Sequence, residues 1–256
     1  MLSYQHGYHA GNLADVHKHA LLAWMLRYLT AKDKPLFYLE THAGRGLYDL
    51  AAPEAAKTGE AAAGITRAEP MLPRDHPYRA VLAATRARHG ATAYPGSPLV
   101  ADHFLRPGDS CHLAELHPAE HAALSQASTR ATLHKADGLA LAHALLPPTP
   151  RRGLALIDPS YEVKTEYGDL ARLIPQLHAK WNVGVILLWY PILPDERHRP
   201  MVRSLQSALP DAISHEVAFT PARPGHGMQG SGMFMVNPPW GTKEEAARLD
   251  GLFAKL

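Results

Sequence analysis

The most constraining feature of the sequence is the alternation of short apolar runs with longer segments of helical periodicity. Apolar runs of strand length occupy residues 34–40, 110–116, 131–137, 152–158, 183–191, 214–221 and 232–240. Segments with apolar residues near helical spacing, such as 14–33, separate most of these runs. This alternation predicts an α/β protein with a mostly parallel sheet covered by helices on both faces. The last two runs have no clear helix between them, which predicts an antiparallel end to the sheet.

A long interruption follows the first predicted strand. Residues 51–93 are rich in Ala, Arg, Pro and His, and their pattern is typical of helices and loops. We therefore predict an inserted helical subdomain at 51–93, within a main domain formed by residues 1–50 and 94–256. A chain of 256 residues, of which 46% are hydrophobic, is long enough to bury one sizeable core beside such an insertion.

Composition argues against several classes of protein. The longest apolar stretch, residues 183–193, is too short to span a bilayer, and the first residues lack the basic and apolar regions of a signal peptide. The single cysteine, Cys111, excludes an internal disulfide framework and fits a reducing cytoplasm. The net charge of +2 does not mark a nucleic-acid binder, so such a role would require a local basic face.

Acidic residues and glycines follow several of the predicted strands. They are Glu40 with Gly44 and Gly46, Glu115, Asp137 with Gly138, and Asp158 with Pro159 and Tyr161. In open α/β sheets, ligands bind beyond the carboxyl ends of the strands. Glycines let the backbone approach a nucleotide-like ligand, and carboxylates accept hydrogen bonds from ribose hydroxyls or amino groups. Each feature alone is common at a strand end, but together they predict a ligand site at this edge.

A second motif, Asn237-Pro-Pro-Trp240, competes with the Asp158 motif for a catalytic role. The Asn237 side chain could accept a hydrogen bond from an amino group, and Trp240 could stack on a base. The residues before Asn237 predict the last strand of the sheet. If that strand is antiparallel, its carboxyl end points away from the ligand edge. We therefore favour Asp158 over Asn237.

Blocks of sequence between residues 1 and 240 resemble one known family. They are MLSYQHGYHAGNLADVHKH, THAGRGLY, YPGSPL, ELHP, KADG, RRGLALIDPSYEVKT, LWYPI and SGMFMVNPPW. The resemblance is to the RlmJ family of class I S-adenosylmethionine-dependent methyltransferases, which methylate N6 of an adenine in 23S ribosomal RNA. It implies a Rossmann-like class I methyltransferase sheet with a small helical insertion, S-adenosyl-L-methionine as cofactor and 23S rRNA as partner. We expect a cytoplasmic monomer that needs neither a metal nor a membrane.

The same resemblance implies a set of site residues. The cofactor-binding residues would be Lys18, His19, His42, Gly44, Ser97, Glu115, Asp137, Gly138 and Asp158. Within this set, Glu115 would take the ribose hydroxyls, and Asp137 with Gly138 would hold the adenine of the cofactor. The substrate contacts would be Tyr4, Pro159 and Tyr161, and the catalytic residue would be Asp158.

The chemistry explains why an acid is needed at position 158. Adenine N6 is a poor nucleophile because its lone pair is delocalised into the ring. The Asp158 carboxylate and the Pro159 carbonyl would accept its two hydrogens and direct the lone pair towards the methyl group. Tyr161 would stack on a base that has left its helix or loop. The family's usual motif is D-P-P-Y; Ser160 replaces the second proline, which predicts a softer loop with the same chemistry.

Other functions are compatible with parts of this pattern. One alternative is an N-methyltransferase acting on DNA adenine or on a protein glutamine amide. Another is a non-catalytic RNA-binding or assembly factor, although the intact strand-end acids argue against it. Histidines at 17 and 19 and at 117 and 121 suggest a metal site, but the chain contains no HExxH motif or cysteine pair, so no metal is expected. The arginines 151, 152, 197 and 199 form either a solvated face or contacts to RNA phosphates.

Overall fold

The computed structural model describes residues 6–127, 130–221 and 227–256. Tyr4 therefore lies outside the described residues. The strands are β1 (Phe37–Glu40), β2 (Leu47–Asp49), β3 (Ala93–Pro95), β4 (Ser110–Ala114), β5 (Thr132–His134), β6 (Gly153–Ile157), β7 (Val185–Ile192), β8 (Ile213–Ala218) and β9 (Gly230–Val236). The α-helices are α1 (Leu13–Thr30), α2 (Pro53–Thr58), α3 (Glu60–Ala63), α4 (Ile65–Ala68), α5 (Pro77–His89), α6 (Ser97–Phe104), α7 (Pro118–Ala127), α8 (Gly138–Leu145), α9 (Glu166–Lys180), α10 (His198–Ala208) and α11 (Thr242–Phe253). Short 3-10 helices cover His6–Tyr8 and Glu69–Met71.

The main sheet has the strand order β5-β4-β1-β6-β7-β9-β8. Neighbours from β5 to β7 are parallel, whereas β9 runs antiparallel to both β7 and β8. The mostly parallel sheet with an antiparallel end is therefore confirmed. In this sheet β1 is followed along the chain by β4 and β5 on one side, and β6 then pairs with the other side of β1. A crevice at this switch point, beyond the carboxyl ends of β1 and β6, is where such sheets bind ligands.

Strand β6 shows why the parallel strands appear in the sequence as continuous apolar runs. Each of its residues is buried, because helices cover both faces of the sheet. Leu154 and Leu156 join the buried cluster that contains α1, while Ala155 and Ile157 join the cluster that contains α9 and α10. The core therefore consists of two layers with the sheet between them. No helix among the described residues is long and apolar enough to cross a membrane.

The segment between β2 and β3 contains α2 to α5. These two strands form a separate antiparallel pair, in which Leu47 lies opposite Pro95 and Asp49 opposite Ala93. The sequence does not predict this pair, because three residues in each strand give little periodic signal. Buried Tyr78 and Leu82 of α5 belong to the same apolar cluster as α1. The division into a methyltransferase domain, 1–50 and 94–256, and an inserted subdomain, 51–93, stays a proposal.

Candidate active site

A cavity of about 340 Å³ lies beyond the carboxyl ends of β1 and β6. Its volume is within the range of about 300–1,000 Å³ that is usual for small-molecule sites. Most of the residues proposed for the site line this cavity: Lys18, His19, His42, Gly44, Ser97, Glu115, Asp158, Pro159 and Tyr161. The structure thus brings together residues from α1, the loops after β1, β4 and β6, and the start of α6.

Glu115 follows β4 and connects two loops at the cavity. Its Oε2 accepts a hydrogen bond of 2.8 Å from the amide of Gly44, and its Oε1 accepts one of 2.7 Å from the amide of His117. Gly44 has φ = 60°, and a Cβ at this position would lie 2.6 Å from the Tyr48 hydroxyl, so the turn requires glycine. A carboxylate offers about four acceptor positions, so Glu115 can fix this turn and still accept from ligand hydroxyls.

Lys18 lies between the carboxylates of Asp158 and Asp15. Its Nζ is 2.5 Å from Oδ2 of Asp158 and 3.2 Å from Oδ1 of Asp15, and all three side chains are largely buried. Burial alone would lower the pKa of Lys18, but the two carboxylates outweigh it and hold that pKa above its usual value. Lys18 is therefore a fixed positive charge at neutral pH. It orients the Asp158 carboxylate and cannot act as a base.

Two histidines of the cavity wall are neutral at physiological pH. Burial lowers the pKa of His19 to about 3, even though Asp15 favours the charged form. Burial also lowers the pKa of His42, against the opposing effects of Asp158 and Asp137. Nδ1 of His42 is 2.8 Å from Oγ1 of Thr41. These imidazoles can hold a ligand by hydrogen bonds without adding charge.

Glu40 ends β1 and is fully buried behind the cavity wall. Its carboxyl accepts hydrogen bonds from the Tyr38 hydroxyl, at 2.9 Å, and from Ser97. Burial raises the pKa of Glu40 to about 8, although both hydrogen bonds favour the charged form. Ser97 is thereby tied to the end of β1, which places the start of α6 at the cavity.

The raised pKa of Glu40 predicts a pH-dependent stability. The folded protein holds the Glu40 proton more tightly than the unfolded chain, in which the pKa is about 4.5. The corresponding stabilisation is complete below pH 4.5 and is lost as the pH rises towards about 8. Glu40→Gln should flatten this part of the melting-temperature profile between about pH 5 and pH 9. Profiles of equal slope for the variant and the wild type would contradict the assignment.

The structure places Asp137 and Gly138 differently from the other proposed residues. Among the described residues, neither of them lines the cavity. Asp137 is the N-cap of α8, and its Oδ1 accepts a hydrogen bond of 2.9 Å from the amide of Ala140. A Cβ on Gly138 would lie 1.8 Å from the carbonyl oxygen of Thr41, so α8 starts in contact with the end of β1. Both residues shape the loop, and a direct cofactor contact by them stays a proposal.

Tyr161 ends the Asp158 motif in a left-handed conformation, with φ = 56°. Its hydroxyl donates a hydrogen bond of 2.7 Å to the carbonyl oxygen of Trp189 on β7. Its ring lies 4.5 Å from that of Tyr167, measured between centroids. The Tyr161 ring is therefore held between β7 and α9, beside Asp158 and Pro159 in the cavity wall.

The rival motif lies at the opposite edge of the sheet. Because β9 is antiparallel, Asn237 follows the end of that strand next to the start of β7. Its amide donates to the carbonyl oxygens of Asn182 and Gly184, at 3.0 and 2.9 Å. Trp240 is 82% exposed. Asn237 therefore joins two loops at this end of the sheet, far from Asp158.

Arg151 and Arg152 are also at this opposite edge, immediately before β6. Arg151 donates to the carbonyl oxygen of Lys180 at 3.1 Å, and Arg152 donates to that of Lys34 at 3.0 Å. They stabilise loops at the edge opposite the cavity, and their role as contacts to RNA phosphates stays a prediction. Arg197 and Arg199 follow β7 at the site edge, where they pair with Asp195 and Glu196.

Sequence reasoning missed several residues that build the cavity. Asp15 lies one helical turn before Lys18, and this i, i+3 spacing is the signal that could have identified the ion pair. Trp189 of β7 also lines the cavity. Within residues 6–127, 130–221 and 227–256, no group of three or more His, Cys, Asp or Glu side chains is arranged to hold a metal ion.

The fold and the cavity together define a class I S-adenosylmethionine-dependent methyltransferase. Numbered along the chain, the strands of the main sheet have the order 3-2-1-4-5-7-6 with the seventh antiparallel, which is the arrangement of this class. The cavity wall includes the carboxylates of Glu115 and Asp158, which can accept hydrogen bonds from a nucleoside ligand.

Comparisons with known proteins identify the family. A family model described as "Ribosomal RNA large subunit methyltransferase D, RlmJ" matches residues 33–255. The chain therefore belongs to the RlmJ family of ribosomal RNA large-subunit methyltransferases. It is 40% identical, over 96% of its length and 90% of the relative's, to "Ribosomal RNA large subunit methyltransferase J" of Escherichia coli. The protein of the same name from Haemophilus influenzae is 37% identical, over 94% of this chain and 88% of that one.

A solved structure shows the same fold. The crystal structure of protein LPL1258 from Legionella pneumophila matches with a TM-score of 0.84 and 35% sequence identity. The match covers 95% of this chain and 92% of that chain. Since the match covers 95% of this chain, the architecture shared with that structure extends beyond the main sheet to the β2–β3 pair and the helices between its strands.

Proposed function

We propose that the chain methylates the N6 amino group of an adenine in 23S ribosomal RNA, with S-adenosyl-L-methionine as the methyl donor. The observation that carries this proposal is the Asp158 motif at the cavity, where an oriented carboxylate, the Pro159 carbonyl and the Tyr161 ring follow one strand. The printed names of the relatives, which describe them as large-subunit ribosomal RNA methyltransferases, support the RNA substrate.

The side chains of the motif have separate tasks in this reaction. S-adenosyl-L-methionine supplies an activated methyl group when it is bound, so the protein's task is alignment. Asp158 and the Pro159 carbonyl accept the two N6 hydrogens and turn the nitrogen lone pair out of the ring. Lys18 holds Oδ2 of Asp158, which leaves the remaining acceptor positions of the carboxylate available to the amine. The carboxylate also stabilises the positive charge that forms on nitrogen.

The cofactor-binding set rests on the cavity lining and on the family resemblance. We propose that it comprises Lys18, His19, His42, Gly44, Ser97, Glu115 and Asp158, with Asp137 and Gly138 forming the adjoining loop. Tyr4, which lies outside the described residues, is retained as a proposed substrate contact with Pro159 and Tyr161. We also propose that the protein acts as a cytoplasmic monomer and that RNA phosphates reach the site past Arg197 and Arg199.

Glu115→Ala should weaken cofactor binding without unfolding the protein. The variant removes the acceptor for ligand hydroxyls and frees the Gly44 amide, so we expect a loss of about 1–3 kcal/mol. Calorimetry with S-adenosylhomocysteine, in the absence of RNA, measures this change. Glu244→Ala on α11 is a matched control, since Glu244 is exposed and is not among the described residues that line the cavity. Equal affinities for both variants would remove Glu115 from the proposed set.

Transfer of tritiated methyl groups tests the function directly. Wild-type protein is incubated with total RNA, DNA and protein extract, and the labelled product is digested to nucleosides or amino acids. We expect label in N6-methyladenosine from 23S rRNA. Label in DNA adenine or in methylglutamine would establish the alternative amino-methyltransferase activities. A folded protein that binds S-adenosylhomocysteine but labels none of these would contradict the proposed reaction.

A further inference from the structure

A chain of hydrogen bonds runs from the cavity wall to the surface at α11. Nε1 of Trp189 is 2.9 Å from Oγ of Ser231, which is 2.9 Å from Nδ1 of His17. Nε2 of His17 is 2.9 Å from Nδ1 of His215, and Nε2 of His215 is 2.9 Å from Oδ1 of Asp250. We call these residues the Trp189 relay. It joins side chains from β7, β9, α1, β8 and α11.

The two ends of the Trp189 relay have fixed roles, because an indole N–H only donates and a carboxylate only accepts. Trp189 therefore donates to Ser231, and Nε2 of His215 donates to Asp250. Burial and the neighbouring His215 hold the pKa of His17 well below its usual value, so His17 is a neutral imidazole that donates from one ring nitrogen and accepts at the other.

At its inner end, the Trp189 relay reaches the proposed catalytic groups. Trp189 lines the cavity, and its ring centroid is 5.7 Å from Nζ of Lys18, the cation that holds Asp158. The Tyr161 ring lies 6.0 Å from the Trp189 ring, and the Tyr161 hydroxyl donates to the Trp189 carbonyl. A change in the position of Trp189 therefore affects both the cation and the stacking surface.

Packing alone does not explain the buried imidazoles. His17 is fully buried on the face of α1 that lies against the sheet, where its ring is 5.9 Å from that of Phe253. An apolar side chain would fill this position without the desolvation cost of a polar group. The pair of imidazoles does allow every buried polar atom between Trp189 and Asp250 to find a partner. Such continuous chains also strengthen their individual bonds.

We propose that His17 and His215 are positioning residues for methyl transfer, which hold the Trp189 indole through Ser231 against Lys18 and Tyr161. This inference rests on the proposed function, because it assigns the positioning to that reaction. His17→Leu would remove the side chain that bonds both Oγ of Ser231 and Nδ1 of His215. The indole would then lose its fixed partner, and a displacement of about 1 Å in a reaction site can lower turnover by about 100-fold.

His17→Leu and a matched control, His76→Leu, test the proposal. His76 is also buried and hydrogen-bonded, with Nε2 2.8 Å from Glu245 and Nδ1 accepting from the Tyr78 amide, and it is not among the described residues that line the cavity. The chain has four tryptophans, so nitrogen-15 labelling gives four indole signals, and Trp189→Phe identifies one of them. We expect His17→Leu to shift the Trp189 signal and His76→Leu to leave it in place.

Turnover supplies the second readout. We expect kcat of folded His17→Leu protein to fall by about 10- to 100-fold, with affinity for S-adenosylhomocysteine retained. His76→Leu should lower the melting temperature and keep kcat. His17→Asn retains an acceptor near the position of Nδ1 and should restore much of the indole signal and of kcat. An unshifted Trp189 signal in His17→Leu, or equal kcat in both leucine variants, would overturn the proposal.

The indole measurement separates the two hypotheses. It needs neither RNA nor a methyl donor, so it reports on the Trp189 relay alone. A failure of the proposed function would appear as wild-type protein with its normal indole signals and no methyl transfer to RNA. That result would also overturn the assignment of His17 to methyl transfer.

Discussion

Asp158→Ala should abolish methyl transfer while the protein remains folded, with a fall in kcat of at least about 100-fold. The variant removes the carboxylate that accepts an N6 hydrogen and supports the charge on nitrogen. The fold should tolerate the change, because Lys18 keeps Asp15 as an ion-pair partner at 3.2 Å. Single-turnover assays on a short rRNA hairpin measure the effect, and circular dichroism melts establish that the variant is folded.

Two further variants sharpen this prediction. Asp158→Asn keeps an acceptor oxygen but loses the charge, so it should retain a trace of activity. Asn237→Ala alters the rival motif at the other edge of the sheet and should lower only stability, since Asn237 donates to loop carbonyls there. If Asn237→Ala abolished turnover in a folded protein and Asp158→Ala did not, the catalytic role would belong to the second motif.

Lys18→Met should reduce both stability and turnover. Lys18 is the cation between two largely buried carboxylates, and its removal leaves Asp15 and Asp158 without compensation. Loss of one partner from a buried ion pair costs about 3–5 kcal/mol. Turnover should fall as well, because the Asp158 carboxylate loses the group that orients it. Urea unfolding measures the stability, and the hairpin assay measures the turnover of the protein that remains folded.

A surface lysine and a second substitution provide the controls for Lys18. Lys180 is exposed and donates to the His143 carbonyl, so Lys180→Met should change stability by less than about 1 kcal/mol. Adding Asp15→Asn to Lys18→Met removes one of the stranded charges and should recover part of the stability but not the turnover. If Lys18→Met and Lys180→Met unfolded at the same urea concentration, the buried ion pairs would contribute nothing to folding.

Local patterns were enough to predict the main sheet. A parallel strand covered on both faces must be apolar throughout, as Leu154 to Ile157 are, and this run is visible without knowledge of its neighbours. The β2–β3 pair and α11 were not predicted. Strands β2 and β3 have three residues each, too few to show a period, and α11 follows the strand that was expected to end the ordered pattern.

The candidate site was predicted in part, for a related reason. Glu115 and Asp158 follow predicted strands, and strands that run parallel bring their carboxyl ends to one edge. Ser97 and His42 were found through the family resemblance, since no strand-end argument points to them. Asp137 fits the strand-end pattern equally well, yet its carboxylate caps α8. A strand-end acid can serve a ligand or a helix, and spacing along the chain does not distinguish the two.

The sequence by itself therefore determined the class of fold, the family and the edge of the sheet that carries the chemistry. Those properties follow from periodicity and from motifs, which are local in the chain. Only the tertiary structure decided which polar groups meet: Lys18 with Asp158, His17 with His215, and the exposed Arg151 with the carbonyl oxygen of Lys180. The residues of the first two pairs are 140 and 198 positions apart. Such contacts exist only after α1 has docked on the sheet, because docking excludes water and leaves each buried polar group dependent on the partner that faces it.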